Sequence, residues 1–166
     1  MSCIVKNKKE IIMREKLNQY LETFIGKELL NINLACEMMC FDFGNMSLHA
    51  SSFTRVLKNN EVLVTTLDYQ SWDRLVDTNN DLWRNVDQFK HGMIGNKIEW
   101  IELSPGNDLF VYLENGFVIQ SFVANGPLHY SDCWEQWRFL VDLDVKDDEV
   151  EPLHIVGEGK EIRFSE

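Results

Sequence analysis

Two pairs of residues have types and spacing that suit metal binding. Three residues separate Cys36 from Cys40, and three separate His129 from Cys133. Together these side chains could supply four zinc ligands. Structural zinc sites usually carry such pairs on Gly-rich knuckles, whereas Cys36 and Cys40 bound a short apolar segment. We therefore predict reduced, buried thiols, and neither a metal site nor a cofactor site.

Acidic side chains are densest between residues 142 and 151, where Lys146 is the one base. The acids of this cluster are Asp142, Asp144, Asp147, Asp148, Glu149 and Glu151. The cluster lacks the Gly and terminal Glu of an EF-hand loop. No spacing within it singles out a pair for general acid–base catalysis. It is therefore either a solvated loop or a docking patch for a basic partner.

Trp134 precedes the strand that leads into this acidic cluster. A tryptophan buries a large area at a small entropic cost, so beside acidic residues it suits a protein-binding hot spot. Packing within the fold is the alternative role. We take Trp134 and the acidic cluster together as the candidate partner-binding residues.

The net charge of −11 belongs to the second part of the chain. Residues 1–97 carry 12 acids and 12 bases, and residues 98–166 carry 15 acids and 4 bases. Such a self-repelling region favours a positively charged partner. It disfavours direct nucleic-acid binding, because phosphates would be repelled and no basic stripe accompanies the aromatic residues.

Composition indicates one globular domain, residues 1–166, of the usual single-core size. Hydrophobic residues make up 45% of the chain and charged residues 26%, which is ordinary for a folded domain. The sequence contains no apolar stretch of signal-peptide or transmembrane type. We therefore expect a cytoplasmic protein that does not enter membranes.

Hydrophobic spacing predicts one helix and several strands in the first part of the chain. A helical period runs from about Lys9 to Ile25 and ends at Gly26. Alternation then predicts a strand from about residue 28 to 34, a β-hairpin over residues 38–52 and a strand over residues 62–67. Residues 71–89 carry a helical stripe that Thr78-Asn79-Asn80-Asp81 interrupts, so two short helices or a helix and a loop fit equally well.

The second part of the chain is predicted to form mainly strands. Residues 98–103 alternate, and a hairpin turns at Glu114-Asn115-Gly116 between apolar runs. Residues 137–143 predict a half-buried strand. Residues 150–156 and 161–164 predict a last hairpin across Gly157-Glu158-Gly159, which lacks the rest of a phosphate-loop pattern.

The two parts of the chain resemble each other at a shift of about 69 residues. Ile25-Gly26 matches Ile94-Gly95, and the apolar positions that follow match as well. The overall prediction is an α+β fold, in which an N-terminal helix and a short central helical segment pack on predominantly antiparallel sheet. Internal duplication would give two similar sheet units, residues 25–70 and 94–145, joined by segment 71–89. Any two β-meanders could produce a similar match, so both interpretations remain open.

A set of mainly structural motifs resembles those of small bacterial immunity proteins. They are Ile25-Gly26-Lys27, Phe41-Asp42-Phe43-Gly44 with Leu48-His49, Asp68 to Trp72, Asp108-Leu109 with Glu114-Asn115-Gly116, and Trp134-Glu135-Gln136-Trp137-Arg138. Immunity proteins guard against polymorphic or contact-dependent growth-inhibition toxins. The resemblance spans about residues 25–140. It implies a cytosolic inhibitor, not an enzyme, that binds one cognate toxin domain, often a basic nuclease.

Two other classes of function remain open from the sequence. One is a small-molecule-binding or scaffold module, in which the sheets enclose an apolar cavity. The other is a hydrolase with paired carboxylates, which would need two acids of raised pKa in one cleft.

Overall fold

The computed structural model describes residues 14–124, 135–141, 154–158 and 161–165. In these residues helix α1 covers 14–22, helix α2 covers Asp81–Met93, and 3₁₀ helices cover Thr66–Ser71 and Glu114–Gly116. The strands are β1 (Asn31–Ala35), β2 (Met38–Asp42), β3 (Met46–Ala50), β4 (Thr54–Lys58), β5 (Glu61–Thr65), β6 (Ile98–Leu103), β7 (Leu109–Leu113), β8 (Phe117–Ser121), β9 (Trp137–Val141), β10 (His154–Glu158) and β11 (Glu161–Ser165).

The strands form two antiparallel sheets. One sheet has six strands in the order β1-β2-β3-β9-β10-β11, and the other has five in the order β5-β4-β8-β7-β6. Along β3, β7 and β8, buried and half-buried residues alternate, so each sheet turns one face to the core. The predicted α+β class, with helices and two predominantly antiparallel sheets, is confirmed.

A single cluster of buried side chains joins both sheets to both helices. Its largest fully buried members include Trp137 and Phe139 of β9 and Phe117 of β8. The ring of Phe24, just after α1, lies 4.9 Å from that of Phe139. Trp137 also satisfies its indole N–H, which donates to the backbone oxygen of Asn107 at 2.9 Å.

Residues 26–29 and 95–98 join the two parts of the chain through reciprocal backbone hydrogen bonds. The bonds run from Gly26 N to Ile98 O (2.7 Å), from Gly95 N to Leu29 O (2.8 Å), from Leu29 N to Asn96 O (2.9 Å) and from Ile98 N to Lys27 O (2.9 Å). Glu28 and Lys97 form an antiparallel bridge between them. Gly26 and Gly95 are 69 residues apart, and exchanging the two segments by this shift turns each of the four bonds into another bond of the set. The junction therefore has local twofold symmetry.

The same shift relates the elements on either side of the junction. Equivalent buried pairs are Leu17 and Val86, Phe24 and Met93, and Ile32 and Ile101. Gly26 and Gly95 both follow a helix with a positive φ, of 83° and 90°. That conformation ends a helix at little cost only when the residue has no Cβ.

The predicted unit boundaries need one correction, because the two halves exchange a hairpin. The hairpin β4–β5 follows β3 in sequence but pairs with β8, and β9–β10 follows β8 but pairs with β3. The crossings are equivalent as well: Phe122 N donates to Phe53 O, and Ser51 N donates to Gln136 O, both at 2.9 Å. Units 25–70 and 94–145 therefore do not each build a separate sheet. Alternation predicts which face of a strand is buried, but not which strand is its neighbour.

The central helical segment also differs from its predicted span of residues 71–89. The strand predicted over residues 62–67 ends at Thr65, whose backbone N–H and hydroxyl both donate to the Asp68 carboxylate at the start of the 3₁₀ helix. A loop follows, and α2 begins after Asn80, whose Oδ1 accepts from Trp83 N at 3.1 Å. The alternative of a helix and a loop is the one observed. Helix α1 lies within the predicted Lys9–Ile25, of which residues 9–13 are outside the described residues.

The predicted hairpins over residues 38–52 and around Asn115-Gly116 are confirmed. In the last hairpin β10 pairs with β11, but Gly157 lies inside β10 rather than in the turn. Residues 150–153 of the predicted strand, with Pro152, lie outside the described residues. A side chain at Gly157 would overlap the indole of Trp137, its partner on β9. Glycine is therefore required at this position by the packing of the core.

We expect Gly157→Ala to lower the free energy of unfolding by about 1–3 kcal/mol, because the added methyl group overpacks the core beside Trp137. Urea denaturation monitored by circular dichroism would measure this. Gly92→Ala in α2 is the matched control, since its Cβ would lie 3.9 Å from Phe117 and alanine favours a helix. Equal stability of the two variants would show that the Trp137 contact does not constrain Gly157.

Candidate protein-binding surface

The residues predicted to bind a partner lie outside the described residues. They are Asp142, Asp144, Asp147, Asp148, Glu149, Glu151 and Trp134. The described strands locate the ends of the acidic segment. It follows β9 at Val141 and precedes β10 at His154, and these strands are antiparallel neighbours. Val141 pairs with Met46, so β9 ends beside the turn between β2 and β3.

A second acidic and apolar surface lies in the described residues, on the loop between the first 3₁₀ helix and α2. We call residues 72–79 the Asp73 loop. Leu75 is 85% exposed and Val76 is 56% exposed. The helical stripe predicted over residues 71–89 included both residues, and of the two alternatives the sequence left open the loop is the one observed here. Two apolar side chains therefore project from a surface loop.

Hydrogen bonds hold the Asp73 loop in one conformation. Asp73 Oδ1 accepts from the backbone N of Leu75 at 2.9 Å and of Val76 at 3.3 Å. Trp72 Nε1 donates to the backbone oxygen of Val76 at 2.9 Å, and Asn79 Nδ2 donates to Asp73 Oδ2. The loop is therefore preorganised, which reduces the entropic cost of binding through its apolar side chains.

Acidic residues precede and follow the exposed Leu75 and Val76 in the sequence. Between residues 66 and 81 the acids are Asp68, Asp73, Asp77 and Asp81, and Arg74 is the one base. Arg84 of α2 pairs with Asp81 at 3.0 Å and donates to Asn79 of the loop. Tyr69 stacks on Trp72 with ring centroids 5.6 Å apart. Its pKa is raised by partial burial, by Cys36, and by the charges of Asp77 and Glu37. The Cys36-Glu37 turn therefore adds another acid to this surface.

This arrangement corrects the prediction of buried thiols. Cys36 is exposed in the turn between β1 and β2, with a φ of 53°, and Cys40 is only partly buried. The proposed zinc partners His129 and Cys133 lie outside the described residues. No group of three metal-binding side chains occurs within the part of the chain that the structure describes.

A polar row on the six-stranded sheet brings a cysteine and a histidine onto neighbouring strands. Cys40 pairs with His49, which pairs with Arg138. Arg138 donates to His49 Nδ1 through Nε at 3.4 Å and Nη2 at 3.3 Å. Its Nη1 donates to Glu135 Oε2 at 3.0 Å. The guanidinium thus connects the imidazole of His49 with the carboxylate of Glu135.

Burial, followed by the charge of Arg138, lowers the pKa of His49. Burial raises the pKa of the Cys40 thiol. A nucleophilic cysteine needs a lowered pKa that yields thiolate near neutral pH. The electrostatics of this row therefore suit a structural network rather than covalent catalysis.

Described carboxyl groups with a shifted pKa do not suit acid catalysis. The pKa of Asp73 is lowered chiefly by the Leu75 backbone hydrogen bond. That of Asp87 is lowered by the hydrogen bond and charge of Lys90, whose Nζ lies 2.6 Å from Asp87 Oδ1. A general acid near neutral pH needs a raised value instead.

A cavity of about 430 Å³ lies between the edge strand β1 and helix α2. Asn31 and Asn33 line one side, and Arg84 and Asp87 line the other. Trp83 also lines it, and its buried Nε1 has no hydrogen-bond partner within the described ranges. The cavity is open and is lined by both polar and apolar side chains, unlike the enclosed apolar cavity expected for a ligand-binding sheet module.

Comparisons of this chain with protein-family models, curated proteins and solved structures found no match. None of the described helices is long and apolar enough to span a membrane. The functional assignment therefore depends on the surfaces of the chain itself.

Acidification is expected to release the Asp73 loop. The pKa of Asp73 in the folded protein is lowered from 3.8. The ionised carboxylate therefore stabilises the loop fully above pH 3.8, and this stabilisation is lost as the pH falls through the lower folded pKa. Hydrogen exchange of the Leu75 and Val76 amides, followed by NMR, should accelerate in that range. Asp73→Ala should accelerate exchange already at pH 6, while the Asn59 amide, bonded to Gly116 O at 3.0 Å, stays protected. Unchanged Leu75 and Val76 exchange in Asp73→Ala would contradict the assigned bonds.

Proposed function

We propose that this chain is an immunity protein that binds and neutralises a cognate bacterial toxin domain, most suitably a basic nuclease. The observation that carries the proposal is the Asp73 loop, a preorganised surface that combines exposed Leu75 and Val76 with surrounding carboxylates. The excess of acids beyond residue 97 supports the same interpretation. The predicted motif resemblance supports it as well.

Acidic and apolar residues have different roles in the proposed inhibition. The acidic cluster at residues 142–151 attracts the toxin and mimics the phosphates of its substrate, which raises the association rate. Trp134, Leu75 and Val76 supply apolar contacts, which slow dissociation because their burial is not screened by salt. Blocking a phosphate-binding active site in this way requires no catalysis by the inhibitor.

The decisive experiment is co-expression with the toxin domain encoded beside the gene for this chain. We expect growth to be rescued and the two proteins to copurify. Lysine at positions 142, 144, 147 and 148 should weaken binding and reduce its salt dependence. Absence of a neighbouring toxin gene, or growth arrest despite expression of the folded chain, would refute the proposed function. Unchanged affinity and salt dependence in the lysine variant would refute only the assignment of the acidic cluster.

Substitution of the two exposed apolar residues tests the role of the loop. Leu75→Ser with Val76→Ser should weaken toxin binding by about 2 kcal/mol or more if they form a hot spot, mainly through faster dissociation. Surface plasmon resonance would measure the rates. Leu30→Ser is the matched control, because Leu30 is 50% exposed on a different part of the surface. Similar dissociation rates for both variants would exclude the loop from the interface.

The cavity between β1 and α2 favours one alternative, a small-molecule-binding module. Among the residues that the structure describes, Trp83 Nε1 has no acceptor, so it is a donor that a polar ligand could satisfy. Native mass spectrometry of the purified chain distinguishes this function. A bound small molecule that is lost in Trp83→Phe would support it, and a ligand-free mass in the absence of any toxin would favour the immunity function.

A further inference from the structure

The outer face of the five-stranded sheet carries an unusual set of aromatic side chains. Phe110 and Phe122 meet edge to face with centroids 5.8 Å apart, and Phe53 lies 5.7 Å from Phe122. Tyr112 and Trp100 are register partners on β7 and β6. We call these five residues the aromatic face. Tyr, Trp and Phe are enriched at the centres of protein interfaces.

A β-bulge places Trp100 on this face. Ile98 pairs with Leu113 and Trp100 pairs with Tyr112, so Glu99 is an extra residue in β6. Ile98 and Ile101 are buried on the inner face, while Trp100 is 56% exposed on the other side. Without the bulge, Trp100 would alternate into the core with Ile98. Bulges often redirect a side chain at a functional position.

The local symmetry of the fold provides an internal comparison for this face. Rows of residues paired across neighbouring strands match between the two sheets. The row Phe110, Gln120 and Arg55 corresponds to the row Cys40, His49 and Arg138. The pair Tyr112 and Val118 corresponds to the pair Asp42 and Ser47. The six-stranded sheet therefore has Cys40 and Asp42 where the five-stranded sheet has Phe110 and Tyr112. The sheet geometry by itself does not call for aromatic residues at these two positions.

The exposed tryptophan shares its strand with two exposed carboxylates. Strand β6 contains Glu99 and Glu102 and no base, and both acids are exposed. Tyr112 Oη donates to Glu102 Oε2 at 3.5 Å, which holds this carboxylate beside the aromatic face. Trp100 makes no ring contact with another aromatic residue of the described chain, so its indole is available to a partner. Aromatic faces beside carboxylates attract cationic groups.

We propose that Trp100, Tyr112, Glu99 and Glu102 bind an arginine or lysine side chain of a basic protein partner. This inference rests on the proposed function, because the partner is the toxin domain. The cation lies on the indole of Trp100 and pairs with the carboxylates of β6. A second copy of this chain fits the site less well, because a net charge of −11 on each copy opposes self-association.

A peptide titration tests the site without the toxin. The probe is acetylated hexa-arginine amide, titrated into the full chain by isothermal calorimetry. Trp100→Leu preserves every charge, so non-specific attraction to the acidic chain is unchanged. We expect Trp100→Leu to weaken binding roughly two- to five-fold through loss of the cation–π contact. Trp100→Phe should restore part of the affinity because it retains an aromatic face.

Removal of one carboxylate gives the second readout. Glu102→Gln should weaken peptide binding more than Glu61→Gln, which removes the same charge from an exposed residue on β5. Equal affinities of the native chain and Trp100→Leu, or equal effects of the two glutamine substitutions, would overturn the proposal. Thermal unfolding verifies that each variant is folded. Because the peptide replaces the toxin, failure of this site is distinguishable from failure of the immunity function.

Discussion

The paired segments 26–29 and 95–98 are the constraint on which the rest of the fold depends. Their four backbone hydrogen bonds satisfy the N–H and C=O groups of Leu29 and Ile98, which are 0% and 1% exposed. Buried peptide groups without partners would carry a large desolvation cost, so these two segments must meet. Their meeting fixes where both helices end and where β1 and β6 begin. It also places β3 and β8 so that each accepts a hairpin from the other half.

Local features of this fold could be predicted from the sequence, and long-range ones could not. The Asn115-Gly116 turn and the alternating burial along β3 and β7 depend on residues that are close together in the sequence, so the sequence pattern predicts them. The exchange of hairpins depends on which strand edge is free in three dimensions. The sequence could not decide between a helix and a loop at the Asp73 loop, because Leu75 and Val76 fit a helical stripe; in the structure Asp73 accepts hydrogen bonds from their backbone amides. Three-residue spacing between Ile98 and Ile101 was the available signal for the bulge that exposes Trp100.

The Asp73 loop and the aromatic face both combine exposed apolar side chains with carboxylates. The Asp73 loop sets aliphatic side chains among aspartates, and the aromatic face sets a tryptophan among glutamates. Each combines a contact that salt does not weaken with charges that act over a distance of about a Debye length. A basic protein would be attracted by the charges and retained by the apolar contacts. Such a division explains how an acidic protein can be selective, because a small cation satisfies the charges but not the apolar surfaces.

The exchanged hairpins also determine how much of the chain must be synthesised before the six-stranded sheet can form. His49 of β3 is separated from its neighbour Arg138 of β9 by 89 positions. During synthesis, β3 therefore emerges with an open edge that stays unpaired until most of the chain has been made. The five-stranded sheet has all its strands once β8 has been made, whereas the six-stranded sheet also needs β9, β10 and β11, so the two sheets close at different points of synthesis.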